Sequence, residues 1–170
     1  MTGATDRSRG LLALLALAVL AADQATKYAV SRLTAPGSMR ELIPGVLNLV
    51  HTSNPGVAFG FLADSEMPWR GPVLILFSLA VMCMIVWLLA THRAGGAFGE
   101  SGMALVLGGA AGNVLDRLML SSVTDFIDFH IGSYHWYTFN VADSAIVIGA
   151  GLIVIEVLRD GRHQPRQERA

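Results

Sequence analysis

The chain has 170 residues, of which 53% are hydrophobic and only 15% charged, with a formal net charge of −1. Ordinary soluble domains carry about 25% charged residues, so the deficit points to a membrane protein. The near-neutral balance gives no argument for a nucleic-acid partner, and the single cysteine, Cys83, excludes an internal disulfide.

A membrane-spanning helix needs about 20 mostly apolar residues. Four segments qualify, in chain order. The first covers about residues 11–33 and is interrupted by Asp23 and Lys27. Its opening, residues 10–22 after Arg7 and Arg9, resembles a signal-peptide core. The apolar run resumes at 25–30 without a small-residue cleavage site, so it reads as a retained span. Next comes an outer insertion, about residues 34–70. Its β-forming run 46–51 follows a Pro44-Gly45 turn, and Asn54-Pro55-Gly56 marks a second turn before an apolar stretch at 57–62. This composition predicts a small strand-rich flap resting on lipid or on the spans. The second span, about 71–90, has no charge and holds Cys83 as a small buried hydrophobe; residues 92–99 form a short glycine-rich connection. The third, about 101–120, is apolar until Asn113, Asp116 and Arg117. The fourth, about 137–158, carries Asn140 and Asp143 near its start and Glu156 near its end.

Four spans put both termini on one side. The positive-inside rule makes that side cytoplasmic, with Arg7, Arg9, Arg93, Arg159, Arg162, Arg166 and Arg169 inside. Lys27, Arg32, Arg40, Arg70 and Arg117 then lie outside or near the outer ends, and Trp69, Tyr134, Trp136 and Tyr137 form an outer aromatic belt. In this frame Asp23, Lys27, the 113–117 block, Asp125 and the 140–143 block gather just beneath the outer surface.

A carboxylate near hydrocarbon is expensive and marks function by default. Asp125 and Asp143, separated by a short loop, suggest a pair sharing one proton, the chemistry of an aspartic protease. Asp23 and Lys27 are four apart and share a helix face, either as a neutralising pair or as the edge of a pocket. In GGAAGNVLDR (108–117), Gly108 and Gly112 form a GxxxG face, and Asn113, Asp116 and Arg117 share a face that either glues helices or holds substrate. VTDFIDFH (123–130) carries an Asp-x-x-Asp-x-His string of metal-ligand type, but no second cluster completes a site; His51, His130 and His135 read as interfacial. In FNVADS (139–144), Asn140 and Asp143 share a face, and Ser144 has no Lys or His at motif spacing to activate it. Spacing alone leaves Asp116 and Asp128 as competitors of Asp125. It also leaves rival functions: a small transporter or proton channel, a metal-dependent phosphatase using Asp125, Asp128 and His130, and a scaffold.

Five blocks in order resemble the lipoprotein signal peptidase (signal peptidase II) family: DQATK (23–27), NPGVAF (54–59), GGAAGNVLDR (108–117), VTDFIDF (123–129) and FNVADS (139–144). No motif position departs from the family's pattern; only the basic tail is peculiar to this chain. The resemblance implies an all-α membrane protein of four transmembrane helices with a small β-containing extracytoplasmic cradle and a periplasmic helix. It implies an aspartic endopeptidase of the bacterial inner membrane that cuts diacylglyceryl-modified prolipoproteins before the lipidated cysteine, with no cofactor or metal; the GxxxG face can be used within one chain, so a monomer is expected. Asp125 and Asp143 would be the catalytic dyad. Asn54, Gly56, Asn113, Asp116, Arg117 and Asn140 would meet substrate, with Asp23 and Lys27 supporting the outer part of the pocket.

Overall fold

A computed structural model describes residues 2–56, 69–91, 93–132 and 134–163. The apolar run at 57–62, which includes the second half of the NPGVAF motif, lies outside the described residues, as do His92, Arg166 and Arg169. The elements are α1 (Thr2–Leu33), β1 (Met39–Ile43), β2 (Leu47–Asn54), α2 (Arg70–Ala90), α3 (Ala97–Leu120), β3 (Val123–Ile131), β4 (Tyr134–His135) and α4 (Val141–His163). Four helical stretches are long and apolar enough to cross a membrane: Arg9–Leu33, Arg70–Ala90, Ala97–Leu120 and Val141–Asp160. The expected four-span frame with a small antiparallel sheet is therefore present.

The third and fourth helices do not start where expected, and both shifts have a polar cause. The fourth helix starts at Val141 rather than near 137. Asn140 caps it: its side-chain oxygen accepts from the Asp143 N–H at 2.9 Å, while an Asp143 carboxylate oxygen accepts from the Asn140 N–H at 3.3 Å. This is a reciprocal capping box, with aspartate in the place usually held by Glu or Gln. The third helix starts at Ala97 because Glu156, reaching across from α4, accepts from the Phe98 and Gly99 N–H groups at 3.0 and 3.2 Å. A glutamate near the end of an apolar span is thus accounted for by otherwise orphaned helix-end donors.

The central helix is α3, which packs against α1, α2 and α4. Lipid supplies no hydrophobic drive between helices, so small residues set how closely they approach. A Cβ on Gly102 would sit 2.5 Å from the Gly149 carbonyl oxygen, and a Cβ on Gly149 would sit 2.5 Å from that of Gly102, so α3 and α4 touch backbone to backbone there. The GxxxG glycines are used within the chain: Gly108 faces the Ala16 backbone of α1, and Gly112 faces the Asp23 carboxylate. The α2 helix rests on α3 through an apolar seam around Ile85 and Met103. Its outer side exposes large apolar side chains such as Leu76, Phe77 and Trp87, as lipid contact requires.

The sheet has the order β1-β2-β3-β4, antiparallel throughout. The Pro44-Gly45 turn forms as expected: Val46 N–H donates to the Ile43 carbonyl at 3.0 Å, and Gly45 takes a φ of 72°. Proline at the first central position and a left-handed glycine at the second are the signature of a type II turn. The sheet is larger than the insertion alone. VTDFIDFH, read only as a string of candidate ligands, is strand β3, paired with β2 in the register Thr52↔Asp125 and Asn48↔Asp128. A further bridge joins Ile127 to Phe139. Hence the connection between α1 and α2 and the connection between α3 and α4 are stitched together at one end of the helices.

Replacing Gly149 with Val places side-chain atoms against the Gly102 carbonyl. Overpacking of this kind costs about 1–3 kcal/mol. Thermal unfolding of Gly149→Val in detergent should show a clear loss of Tm; an unchanged midpoint would refute the close α3–α4 contact.

Candidate active site

The site is built where α3, β2, β3 and α4 converge. Asp125 does not sit in a span. It lies on β3, fully buried, and projects toward the start of α4. One of its carboxylate oxygens accepts from Asn140 Nδ2 at 2.7 Å and the other from Asn54 Nδ2 at 3.0 Å. Asp143, in the first turn of α4, accepts from Asn113 Nδ2 at 2.8 Å. Both aspartates line one cavity of about 440 Å³, together with Asn54, Asn113, Arg117 and a largely apolar remainder. Burial and the charge of Asp143 push the Asp125 carboxyl up to about 7, against the lowering effect of the two amides and Lys27.

The competing aspartates are engaged elsewhere. Asp116 is buried and ion-paired with Lys27 at 3.1 Å; it also accepts from Gln24 Nε2 at 2.9 Å and the Thr124 N–H at 3.0 Å. It does not line the cavity. Asp128 is three residues from Asp125 along one strand, so strand alternation turns it to the other face. There it accepts from Asn48 Nδ2 at 2.8 Å and lies 3.0 Å from His135 Nδ1. Burial acts to raise its carboxyl, but the Asn48 and His135 hydrogen bonds outweigh burial and hold it below the ordinary aspartate value. Asp125, Asp128 and His130 therefore do not converge, which removes the phosphatase arrangement.

The amides that hold the two carboxyls are themselves oriented. Lys27 Nζ donates to Asn113 Oδ1 at 3.0 Å, which turns the Asn113 NH₂ group toward Asp143. Asn140 Oδ1 is occupied by the Asp143 N–H, which turns its NH₂ group toward Asp125. Asn54 Oδ1 accepts from the Gly56 N–H at 2.9 Å, and Arg117 Nη2 donates to the Gly56 carbonyl at 2.9 Å. The Asn-Pro-Gly turn thus aims Asn54 at Asp125, and Arg117 anchors the turn. Arg117 thus bonds to backbone carbonyls, not to its helix neighbour Asp116. Its Nε is buried and has no acceptor among the described residues.

Asp23 and Lys27 pair at 2.8 Å as their spacing requires, and Asp23 also accepts from the Ala142 N–H at 2.9 Å, at the positive end of α4. Ser144 lines the cavity, but its hydroxyl donates to the Asn140 carbonyl at 3.0 Å. His130 is buried rather than interfacial, and His51 is half-buried, within hydrogen-bonding distance of Thr34. Sequence reading missed Gln24 and Thr124, which complete the surroundings of Asp116, and read Asn140 and Asp143 as one helix face rather than a cap. The Asn-x-x-Asp spacing before an apolar run was the available signal for that cap.

A family model described as Signal peptidase (SPase) II matches residues 15–159. The chain belongs to the signal peptidase II family. It is 43% identical over 148 residues to a lipoprotein signal peptidase of Solibacter usitatus, covering 87% of this chain and 90% of that protein. It is 39% identical over 155 residues to one of Syntrophotalea carbinolica, covering 91% and 95%. A solved structure of a bacterial membrane enzyme, obtained by the in meso method, matches with a TM-score of 0.82 and 30% identity over 95% of both chains. Signal peptidase II membership makes this a multi-pass peptidase of the inner membrane, and the four apolar helices fit that setting.

In this peptidase Lys27 is the only ammonium holding two buried carboxylates among the described residues. Removing one partner of a buried ionic cluster costs about 3–5 kcal/mol. Lys27→Met should therefore lower both thermal stability and turnover, read by unfolding in detergent and by a peptidase assay. A variant as stable and active as wild type would show the cluster to be dispensable.

Proposed function

We propose that this chain removes signal peptides from diacylglyceryl-modified prolipoproteins, cutting before the lipidated cysteine, and that Asp125 and Asp143 activate the attacking water. The observation that carries this reading is the pair of aspartates on one cavity wall, each held by a side-chain amide with a fixed orientation. Two nearby carboxyls resist double ionisation and share one proton. The ionised member takes a proton from water as the water oxygen attacks the scissile carbonyl. The protonated member hydrogen-bonds the developing oxyanion, and the pair then delivers a proton to the leaving amine as the C–N bond breaks. Titration belongs to the pair rather than to either residue. No metal or organic cofactor takes part in these steps.

The remaining residues position substrate. Asn54, Asn113 and Asn140 fix the two carboxyls without adding net charge. The apolar cavity wall continues through Ile146, Val147 and Ile148, and the latter two are exposed on the outer side of α4. This favours lateral entry of an acylated peptide from lipid, with acyl-chain binding used to orient the peptide bond. The sheet end of the helices lies at the extracytoplasmic face and both termini lie in the cytoplasm. In support, Trp69, Tyr134, Trp136 and Tyr137 are all exposed at that end. Arg9, Arg93 and Arg159 stand at the other, where they contact Ala90, Trp87 and Phe98.

The test is cleavage of lipidated and unlipidated prolipoprotein by purified full-length enzyme. Asp125→Asn and Asp143→Asn should each lower turnover by about a thousandfold or more while leaving the chain folded, and Asp128→Asn by less than about tenfold. Near-normal cleavage by either dyad variant sinks the assignment, and equal cleavage of the two precursors sinks the substrate class.

The pH profile is a separate check. Burial and the nearby Asp143 push the Asp125 carboxyl up from the ordinary 3.8 to about 7, so folding favours the protonated form of the pair. The stability tied to that proton is complete below 3.8 and is lost as pH rises through about 7. Because the reaction needs one proton on the pair, kcat/KM should fall over the same upper limb. A profile level to about pH 9 would contradict a shared proton.

A further inference from the structure

The face of β3 turned away from the cavity carries a second group of ligating side chains. Asp128 and His130 are two apart on β3 and share that face. His135 of β4 pairs directly with His130, and Asn48 of β2 pairs directly with Asp128. Three adjacent strands therefore place Asn48, Asp128, His130 and His135 side by side. Asp128, His130 and His135 each offer one ligand atom, and these three atoms lie within 4.8 Å of one another. The sequence shows only the Asp-x-His half of this group; the β3–β4 hairpin supplies the third member.

Asp128 is only 3% exposed, and among the described residues its one ionic partner is the imidazole of His135. A carboxylate buried without a lysine or arginine leaves room for a cation of another kind. Two imidazoles and one carboxylate suit zinc and similar late first-row divalent ions, whereas calcium and magnesium prefer all-oxygen surroundings. Bonds of about 2.0–2.1 Å in a tetrahedral zinc site place neighbouring ligand atoms about 3.4 Å apart. The His135 Nδ1 to Asp128 separation of 3.0 Å is already near that spacing. Asn48 Nδ2 donates to Asp128 and would hold its carboxylate toward the ion. His135 is 48% exposed, which gives the ion a path in and a ligand able to turn. Turning is required, because the two imidazole rings stack 13° from parallel with centroids 4.8 Å apart, and their lone pairs converge only when that stack opens.

We propose that Asp128, His130 and His135 bind one zinc-type divalent ion, with water completing its coordination. The bound ion would tie β4 to β3. Residues 136–139, which line the cavity, follow β4 directly and lead into Asn140, so the ion would brace the strap between the two aspartates. It acts as a structural clip and takes no part in the peptide-bond chemistry.

The experiment titrates full-length chain without a polyhistidine tag, in detergent, with Zn²⁺ and with Co²⁺ as a visible probe. Binding of one ion per chain, a visible Co²⁺ absorption of imidazole–carboxylate coordination, and a Zn²⁺-dependent rise in Tm are expected. His135→Ala, at a half-exposed position that does not threaten folding, should weaken binding by more than the ~10–100-fold that loss of a ligand-orienting hydrogen bond costs. The same variant should abolish the Tm rise. His51→Ala should bind as wild type does. Equal binding by wild type and His135→Ala, or no ion retained by wild type, overturns the proposal. Neither readout depends on whether the chain cuts prolipoproteins, so failure here is separate from failure of the dyad.

Discussion

The structure turns on what surrounds one ammonium group. Lys27 Nζ has three donors, and three acceptors meet them: Asp23 at 2.8 Å, Asp116 at 3.1 Å and Asn113 Oδ1 at 3.0 Å. One positive charge against two carboxylates leaves an excess of negative charge. Neutral donors absorb it, namely the Ala142 and Thr124 N–H groups and Gln24 Nε2. Each belongs to a different element, so satisfying the charge fixes α1, α3, β3 and α4 relative to one another. In hydrocarbon such a cluster exists only when every member is satisfied. The orientation of the two cavity aspartates is inherited from it through the Asn113 and Asn140 amides.

The sequence allowed the frame to be read because lipid makes it simple. Span length, the i,i+4 pair at Asp23 and Lys27, and the Pro44-Gly45 turn follow from local rules, and the structure contains all three. Non-local pairing did not follow. Nothing in VTDFIDFH says that β2 is its partner, and without that register the alternation separating Asp125 from Asp128 has no reference face. For the same reason His135 looked interfacial until the hairpin set it beside Asp128. The Lys27–Asp116 contact joins residues on two helices and was equally hidden. Family likeness singled out Asp125; strand geometry supplies a physical reason consistent with it.

The cap on α4 does two things at once. Asn140 and Asp143 close a capping box; Asp143 lines the cavity, and Asn140 holds Asp125 from behind it. A helix start is a rigid place to mount a side chain, and its free N–H groups favour a nearby negative charge. The cap therefore sets both where α4 begins and where Asp143 enters the cavity.

The β2–β3 pairing joins residues 47–54 to residues 123–129 across two intervening helices. Contacts so distant along a chain form late, after the intervening segments are in place. Asp125, Asn140 and Asp143 also stand late in the sequence. During synthesis, the early spans can therefore enter the bilayer long before the two carboxyls share a wall. A half-made chain carries Asp23, Lys27 and Asn54 but neither cavity aspartate, so the cavity forms only once α4 has been made.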